Sequence, residues 1–438
     1  PHPPHLHYGE VVGSVRCVSE TAKHWVGDGG TTHGIDQGET TLPWETLRAV
    51  HIAPYEGAID AGVLTVMASF NSWNGDKCHG HRHLLTDVLK SQLGFDGFVI
   101  SDWDGIDYLS DDYAEAIALS VNAGVDMFMV SITWRVFISH LRAHVIQGRV
   151  PMARIDDAVR RILRVKFAMG LFDRPRPAER KWSGSDSFGS EAHRAIAREA
   201  VRKSLVQLKN DARLLPLDPA ARILVAGKNA DNRGHQCGGF TVAWQGVTDN
   251  ESIQGGCSIW EGIRSIAPGA VLAENDIPTD ASFDVAIVVI GERPYAEGMG
   301  DIRSSDNVVV EAGSQIRGSL KVLEPYGSTL EHCVSHPEDL AVIRQITARG
   351  IPVVTVFVCG RPLVVNEELE ASDAVVAAWL PGSEGLGVAQ VLFGEQDFQG
   401  RLSFSWPSSM EQVSGASGSS ESNPPLFPVG YGLRMSGD

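Results

Sequence analysis

The stretch Gly97-Phe98-Val99-Ile100-Ser101-Asp102-Trp103-Asp104-Gly105 decides the fold class. It opens as a short run of apolar, strand-forming residues and turns abruptly polar at Ser101. Three other runs upstream of Gly170 have the same character: Val15 to His24, Val63 to Phe70 and Val125 to Val130. Stretches of helical periodicity separate them, and such strand-helix alternation builds a parallel sheet. Each run ends on its C-terminal side in polar or reactive residues: Lys23-His24, Asn71-Ser72, Ser101-Asp102, and Met129 followed by Ser131. In parallel α/β folds, and most strictly in (β/α)8 barrels, that end of the sheet carries the active site. Four such units are half of an eight-unit barrel, so residues 1–172 are expected to form a partial (β/α)8 barrel domain.

Working outward, a helix is expected over about Ala153 to Met169, where Ile155, Ala158, Val159, Ile162, Leu163 and Val165 form an apolar stripe. The Pro-, Gly-, Ser- and charge-rich segment 173–190 reads as a linker. A second helix, Glu191 to Leu208, leads into strands near Ile223 to Gly227, Asp284 to Gly291, Pro352 to Cys359 and Ala374 to Leu380. Residues 191–438 are thus a second α/β domain with a mostly parallel sheet. Ser414 to Ser422 reads as a Ser/Gly-rich loop.

With 37 basic and 54 acidic residues among 438, the formal net charge is −17, which opposes binding to a phosphate backbone and argues against a nucleic-acid partner. A hydrophobic content of 43% and a mean hydropathy of −0.06 place the chain among ordinary globular proteins and exclude disordered and fibrous classes. Apolar runs such as Val285 to Ile290 are far shorter than the roughly 20 residues of a membrane-spanning helix, so no membrane association is expected. Cys17, Cys78, Cys237, Cys257, Cys333 and Cys359 are scattered, without metal-ligand spacing, and fix neither redox compartment nor cofactor. The opening Pro1-His2-Pro3-Pro4-His5 has no initiator methionine or signal-like segment, and the expectation is that the protein's true beginning lies upstream.

Among residues that could carry chemistry, Asp102 stands where a nucleophile or base belongs at a barrel mouth, although an Asp there also serves to cap the next helix. A second carboxylate source is Gly291-Glu292-Arg293-Pro294-Tyr295-Ala296-Glu297-Gly298-Met299-Gly300-Asp301, a loop directly after an apolar strand. Position alone does not rank Glu292, Glu297 and Asp301. Lys23-His24 could bind anions, exchange protons or hydrogen-bond the hydroxyls of a neutral sugar. Trp25, Trp73, Trp103 and Trp244 lie near these polar ends, and indole faces suit pyranose rings, although most tryptophans are core. His79, His81, His83 and the terminal His2, His5, His7 alternate like metal ligands but lack carboxylate or thiolate support, so no metal site is expected. Gly382-Ser383-Glu384-Gly385-Leu386-Gly387 lacks the phosphate-binding lysine and reads as a turn into a helix.

Taken together, these segments resemble glycoside hydrolase family 3. The match is carried by Lys23 to Gly30, Ser69 to Gly75, Gly97 to Gly105, Arg154 to Val159, Gly291 to Asp301, Leu380 to Gly385 and Gly430-Tyr431-Gly432, in order through nearly the whole chain. Within the family it is most similar to the β-glucan exohydrolases of plants and bacteria. The resemblance implies a (β/α)8 barrel and a six-stranded α/β sandwich with the active site between them. It implies a retaining β-glucosidase or exo-β-glucanase needing no cofactor, with Asp102 as nucleophile and Glu297 as acid/base. Lys23, His24 and Asp28 match a motif whose first two residues bind hydroxyls of the terminal glucosyl unit. Trp103 and Trp244 match a pair that clamps the next sugar, which implies tolerance of β-1,3 and β-1,4 linkages. Phe70 and Met129 complete the expected substrate-binding set.

Phe70 stands where many members carry tyrosine, Tyr108 where the plant enzymes carry arginine, and Phe240 where they carry tryptophan, which bears on substrate preference. The family's first barrel strands have no counterpart, and a half barrel with open edges is expected to self-associate. The resemblance further implies a β-glucan or β-gluco-oligosaccharide substrate and an extracellular or periplasmic location. A β-xylosidase or β-N-acetylglucosaminidase specificity, and an impaired carbohydrate-binding fragment, are the competing readings.

Overall fold

The computed structural model describes residues 21–273, 277–278, 282–303, 309–310, 322–323, 326–413 and 423–435. Cys17, the N-terminal histidines, the first part of the Val15 to His24 run and the 414–422 loop lie outside the described residues. The chain divides into two compact units, one of residues 1–185 with 308–324, the other of residues 186–307 with 325–438.

In the first unit, strands Ala22–Trp25, Thr65–Ala68 and Phe98–Ile100 lie side by side and parallel, in chain order. The fourth run joins this sheet through a single parallel bridge, Ile100 to Met127, rather than as a strand. Its extended register is given up at Asp126, whose buried side chain turns back to accept the Val99 N–H at 2.8 Å. Asp126 is neutralised by Lys90 Nζ at 2.8 Å and by Arg154. Arg154 also donates to the carbonyls of Val121 and Val125. Two turns further along the same helix, Met152–Ala168, Arg161 donates to the carbonyls of Phe95 and Gly97. The arginines of this helix therefore fix the entry to strand Phe98–Ile100, and with it the point where Asp102 emerges.

The second unit is built on a six-stranded sheet in the order Val206–Asn210, Ala374–Trp379, Val353–Val358, Val285–Gly291, Ile223–Ala226, Val271–Leu272. All neighbours are parallel except Val206–Asn210. The inner strands read as almost wholly apolar runs, broken only by the buried Thr355, because both faces are covered. Val225, Val285, Ile287, Val289, Val354 and Val356 pack in one core with residues of helices Ile259–Ile266 and Gly385–Leu392. Leu224, Ala286, Val288, Ile290, Val353 and Phe357 pack in another with Ile343, Ile346, Trp406 and Phe427.

The expected helix Glu191 to Leu208 is corrected: the helix ends at Ser204, Leu205 is extended, and residues 206–210 form the antiparallel edge strand. Val206 and Leu208 share one face of that strand, packing into the same core, so period two overrides the helical spacing. The Gly382 to Gly387 segment does turn into a helix, Gly385–Leu392.

In the parallel part of this sheet, chain order reverses between Ile223–Ala226 and Val285–Gly291. The carboxyl ends of strands at such a reversal are where open α/β sheets present their ligand crevice, and Gly291 to Asp301 leaves the sheet there.

Candidate active site

In the first unit, the polar ends of the strands converge on Asp102, which is buried to 17% side-chain exposure. Its Oδ1 accepts the Trp103 N–H at 2.7 Å, while Oδ2 faces His24 Nε2 at 3.5 Å. One carboxylate oxygen is thus fixed by the main chain, and the other is left to a contact too long for a strong hydrogen bond. His24 Nδ1 lies 3.1 Å from Asp28 Oδ2, so the imidazole stands between two carboxylates. Burial pushes the Asp102 carboxyl up from its ordinary value, opposed by the Trp103 N–H and by the His24 and Lys23 charges, and seconded by Asp28.

The loop bearing Asp102 is held from both sides. Ser101 donates its N–H to the Met127 carbonyl at 2.9 Å and accepts the Met129 N–H on Oγ at 2.8 Å. Asp104, in the left-handed region at φ 49°, donates its N–H to the Met129 carbonyl at 2.8 Å. Its carboxylate accepts from the Ser131 N–H and hydroxyl at 3.1 and 3.0 Å. The Asp102 N–H is donated to Nε2 of the buried His79 at 2.9 Å. The Phe70 ring lies 5.6 Å from His79 and 6.0 Å, edge-on, from Tyr108. Asn71, fully buried, donates to the Val26 carbonyl at 3.2 Å and to Thr40 Oγ1 at 3.0 Å, joining the first two strand ends.

The structure therefore brings together His24, Asp28 and Asp102, with the Lys23 charge near enough to act on Asp102. Met129 and Phe70 enter through main-chain and ring contacts to the same loop and to His79. Trp103 is exposed at 53%. Trp25 and Trp73 are taken up by the fold: Trp25 is fully buried and donates to the Leu84 carbonyl, and Trp73 donates to that of Leu42. The His79, His81, His83 alternation is also spent structurally. His81 Nδ1 accepts the Leu84 N–H and its ring lies against Trp73, while His83 pairs with Asp87. Among the described residues no group of His, Cys, Asp and Glu is placed to hold a metal ion.

In the second unit, the three carboxylates of the 291–301 loop are placed differently. Glu292 is buried and accepts from Tyr295 Oη, the Gly360 N–H and Arg361 Nε. Asp301 is paired with Arg303. Glu297 is solvent-exposed, and its Oε2 accepts the Trp244 indole N–H at 3.0 Å. Trp244 is 40% exposed, and the adjacent Gln245 accepts the Ala296 N–H at 2.8 Å. Sequence reasoning missed His79, Gln245 and Arg361. Arg361 alone had a signal: it follows strand Val353–Val358, which neighbours Val285–Gly291 in parallel and so delivers it to the same edge.

Residues 12–165 match the glycosyl hydrolase family 3 N-terminal domain, and residues 205–435 match the family's C-terminal domain. The chain belongs to glycosyl hydrolase family 3. A lysosomal beta glucosidase of Dictyostelium discoideum is 31% identical, covering 88% of this chain and 47% of its own length. A periplasmic beta-glucosidase of Salmonella typhimurium is 30% identical, covering 95% and 58%. The chain thus spans about half the length of these family 3 relatives. The solved exo-1,3/1,4-beta-glucanase of a Pseudoalteromonas species superposes with a TM-score of 0.82 at 46% identity, over 95% of this chain and 50% of that one. This family 3 chain shares with it a two-domain α/β architecture with mostly parallel sheets.

Proposed function

We propose that the protein is a retaining, exo-acting β-glucoside hydrolase releasing glucose from the non-reducing ends of β-glucans and β-gluco-oligosaccharides. Asp102 attacks the anomeric carbon and forms a glycosyl ester. Glu297 protonates the departing glycosidic oxygen and then deprotonates the water that hydrolyses the ester. The observation that carries this reading is the Asp102 carboxylate, with Oδ1 held by the Trp103 N–H and Oδ2 turned toward His24, at the C-terminal end of a parallel strand.

His24, Lys23 and Asp28 supply hydrogen-bonding groups for glucosyl hydroxyls, with Phe70 and Met129, which contact His79 and the Asp102 loop, as further substrate-binding residues. The exposed indoles of Trp103 and Trp244 offer flat faces for a pyranose beyond the scissile bond. Recognition by faces rather than hydroxyls supports tolerance of β-1,3 and β-1,4 linkages. Residues 1–172 carry the nucleophile, 173–190 connect, and 191–438 carry the acid/base. No described helix is long and apolar enough to cross a membrane, and the Salmonella relative's name supports an extracellular or periplasmic location. Ala22–Trp25 is an edge strand among the described residues, which supports self-association.

The deciding experiment follows hydrolysis of p-nitrophenyl β-glucoside and laminaribiose by NMR. β-Glucose as the first-formed anomer is expected. α-Glucose first would refute double displacement, and faster turnover of the β-xyloside would refute the glucoside preference.

A further inference from the structure

We infer that Arg361, acting through the buried carboxylate of Glu292, is a positioning residue for Glu297, closing the 291–301 loop into the conformation that presents the proton donor. The inference rests on the reading of Glu297 as acid/base. Glu292 is 3% exposed and takes hydrogen bonds from Tyr295 Oη at 3.0 Å, the Gly360 N–H at 3.1 Å and Arg361 Nε at 2.9 Å. Arg361 Nη1 reaches on to the Gly300 carbonyl. Its guanidinium lies over the rings of Tyr295, 4.4 Å from the centroid, and Tyr326, 4.8 Å. At Gly300 a Cβ would stand 2.5 Å from the Tyr295 ring, so the two shoulders of the loop are pressed together over the cation.

These attachments end on residues 292, 295 and 300, on either side of Glu297. A buried ion pair serving stability alone would not need to grip both arms of one exposed loop. Glu297 itself sits in the left-handed region at φ 51°, a conformation that a residue with a Cβ keeps only when its surroundings impose it. The Gln245 side chain accepts the preceding Ala296 N–H, and the Trp244 indole N–H donates to Glu297 Oε2, fixing the direction of the carboxylate. A lysine at 361 would keep the charge yet could not span Glu292 and Gly300 with a planar fork.

The test compares Arg361→Lys, Glu292→Gln and Glu297→Ala in the full chain on 2,4-dinitrophenyl β-glucoside, whose leaving group needs no proton, and on phenyl β-glucoside, whose leaving group does. Misplacing a general acid costs part of the roughly 10²- to 10⁴-fold that such a group supplies. Arg361→Lys is therefore expected to lower kcat/KM for the phenyl substrate by about 10- to 100-fold while leaving the dinitrophenyl substrate within about threefold. Glu292→Gln, which keeps the side chain's shape, is expected to show the same selective loss and answers the question should the lysine variant fold poorly. Equal losses on both substrates, or no loss, would overturn the positioning role. If Glu297→Ala itself shows no dependence on leaving group, the acid/base reading fails first and takes this inference with it.

Discussion

The imidazole of His79 accepts the main-chain N–H of Asp102 at 2.9 Å, so the backbone of the proposed nucleophile is held by a side chain from another strand's connecting segment. Burial, helped by the Lys77 charge, pushes His79 down to about 3. The ring is therefore neutral across the working range, which it must be, since an imidazolium has no acceptor nitrogen. Gly105 leaves the ring its room: a Cβ there would stand 2.6 Å from Nε2.

His79→Phe should thus leave the part-buried Asp102 N–H unpaired, a loss of up to about 1 to 3 kcal/mol borne by the loop. A fall in kcat of about 10-fold or more, with KM moved little, is the expected result on p-nitrophenyl β-glucoside. Gly105→Ala, which displaces the ring without removing it, should fall on the same side. Unchanged kcat in both variants would show that the hydrogen bond does not orient Asp102.

The electrostatics of Asp102 give a test with a definite sign. Burial raises its carboxyl, the Trp103 N–H and the His24 and Lys23 charges lower it, and Asp28 raises it again. A nucleophile must be ionised, so activity should fall as pH drops through this raised value. Removing the lysine charge in Lys23→Met should move the acid limb of the kcat/KM profile to higher pH, and Asp28→Asn should move it to lower pH. Shifts in the same direction would contradict the assignment of that limb to Asp102.

The fold was legible where the chemistry is local. Val285–Gly291 and Val353–Val358 announce themselves because a strand covered on both faces is apolar almost throughout, the one polar side chain, Thr355, being buried and paired with the Ser372 hydroxyl at 2.7 Å. Val206–Asn210 was hidden because Val201, Leu205 and Leu208 continue the i, i+4, i+7 spacing of the helix before it, and only pairing with Ala374–Trp379 decides the outcome. Asp102 was legible as a candidate from its place at a strand end, where position alone left a helix cap as the alternative. His79 was not, since its alternation with His81 and His83 imitates ligand spacing and its real partner lies 23 residues away. Glu292 could not be separated from Glu297 in sequence, because what sets them apart is a guanidinium 69 residues distant.

Trp244 joins an exposed indole face, proposed above for sugar binding, to an N–H that reaches Glu297 Oε2 at 3.0 Å, and two substitutions separate these contributions. Trp244→Phe keeps the face and loses the donor, so it should act on the proton-transfer step and be felt with poor leaving groups. Trp244→Ala also loses the face, worth on the order of 1 kcal/mol beyond the area it covers, and should further raise KM for laminaribiose. A small aryl glucoside should be affected far less by that second loss. Identical KM values for the two variants on the disaccharide would remove Trp244 from sugar binding.

His332 gives the second unit a pH dependence opposite in sign to that of His79. Burial alone would depress its imidazole, but the carboxylates of Asp339, 3.3 Å from Nε2, and Glu368, 2.9 Å from Nδ1, outweigh it and hold it up at about 9. A histidine raised above its unfolded value near 6.5 contributes stability that is fully present below that value and is lost as pH rises through 9. The shift corresponds to at most about 3.5 kcal/mol. Denaturant unfolding followed from pH 6.5 to 9 should therefore show the second unit losing stability. His332→Gln should lie lower at pH 6.5 and change less across the window, because an uncharged amide has no proton to give up. Parallel stability curves for the two proteins would mean that His332 is not charged in the folded state.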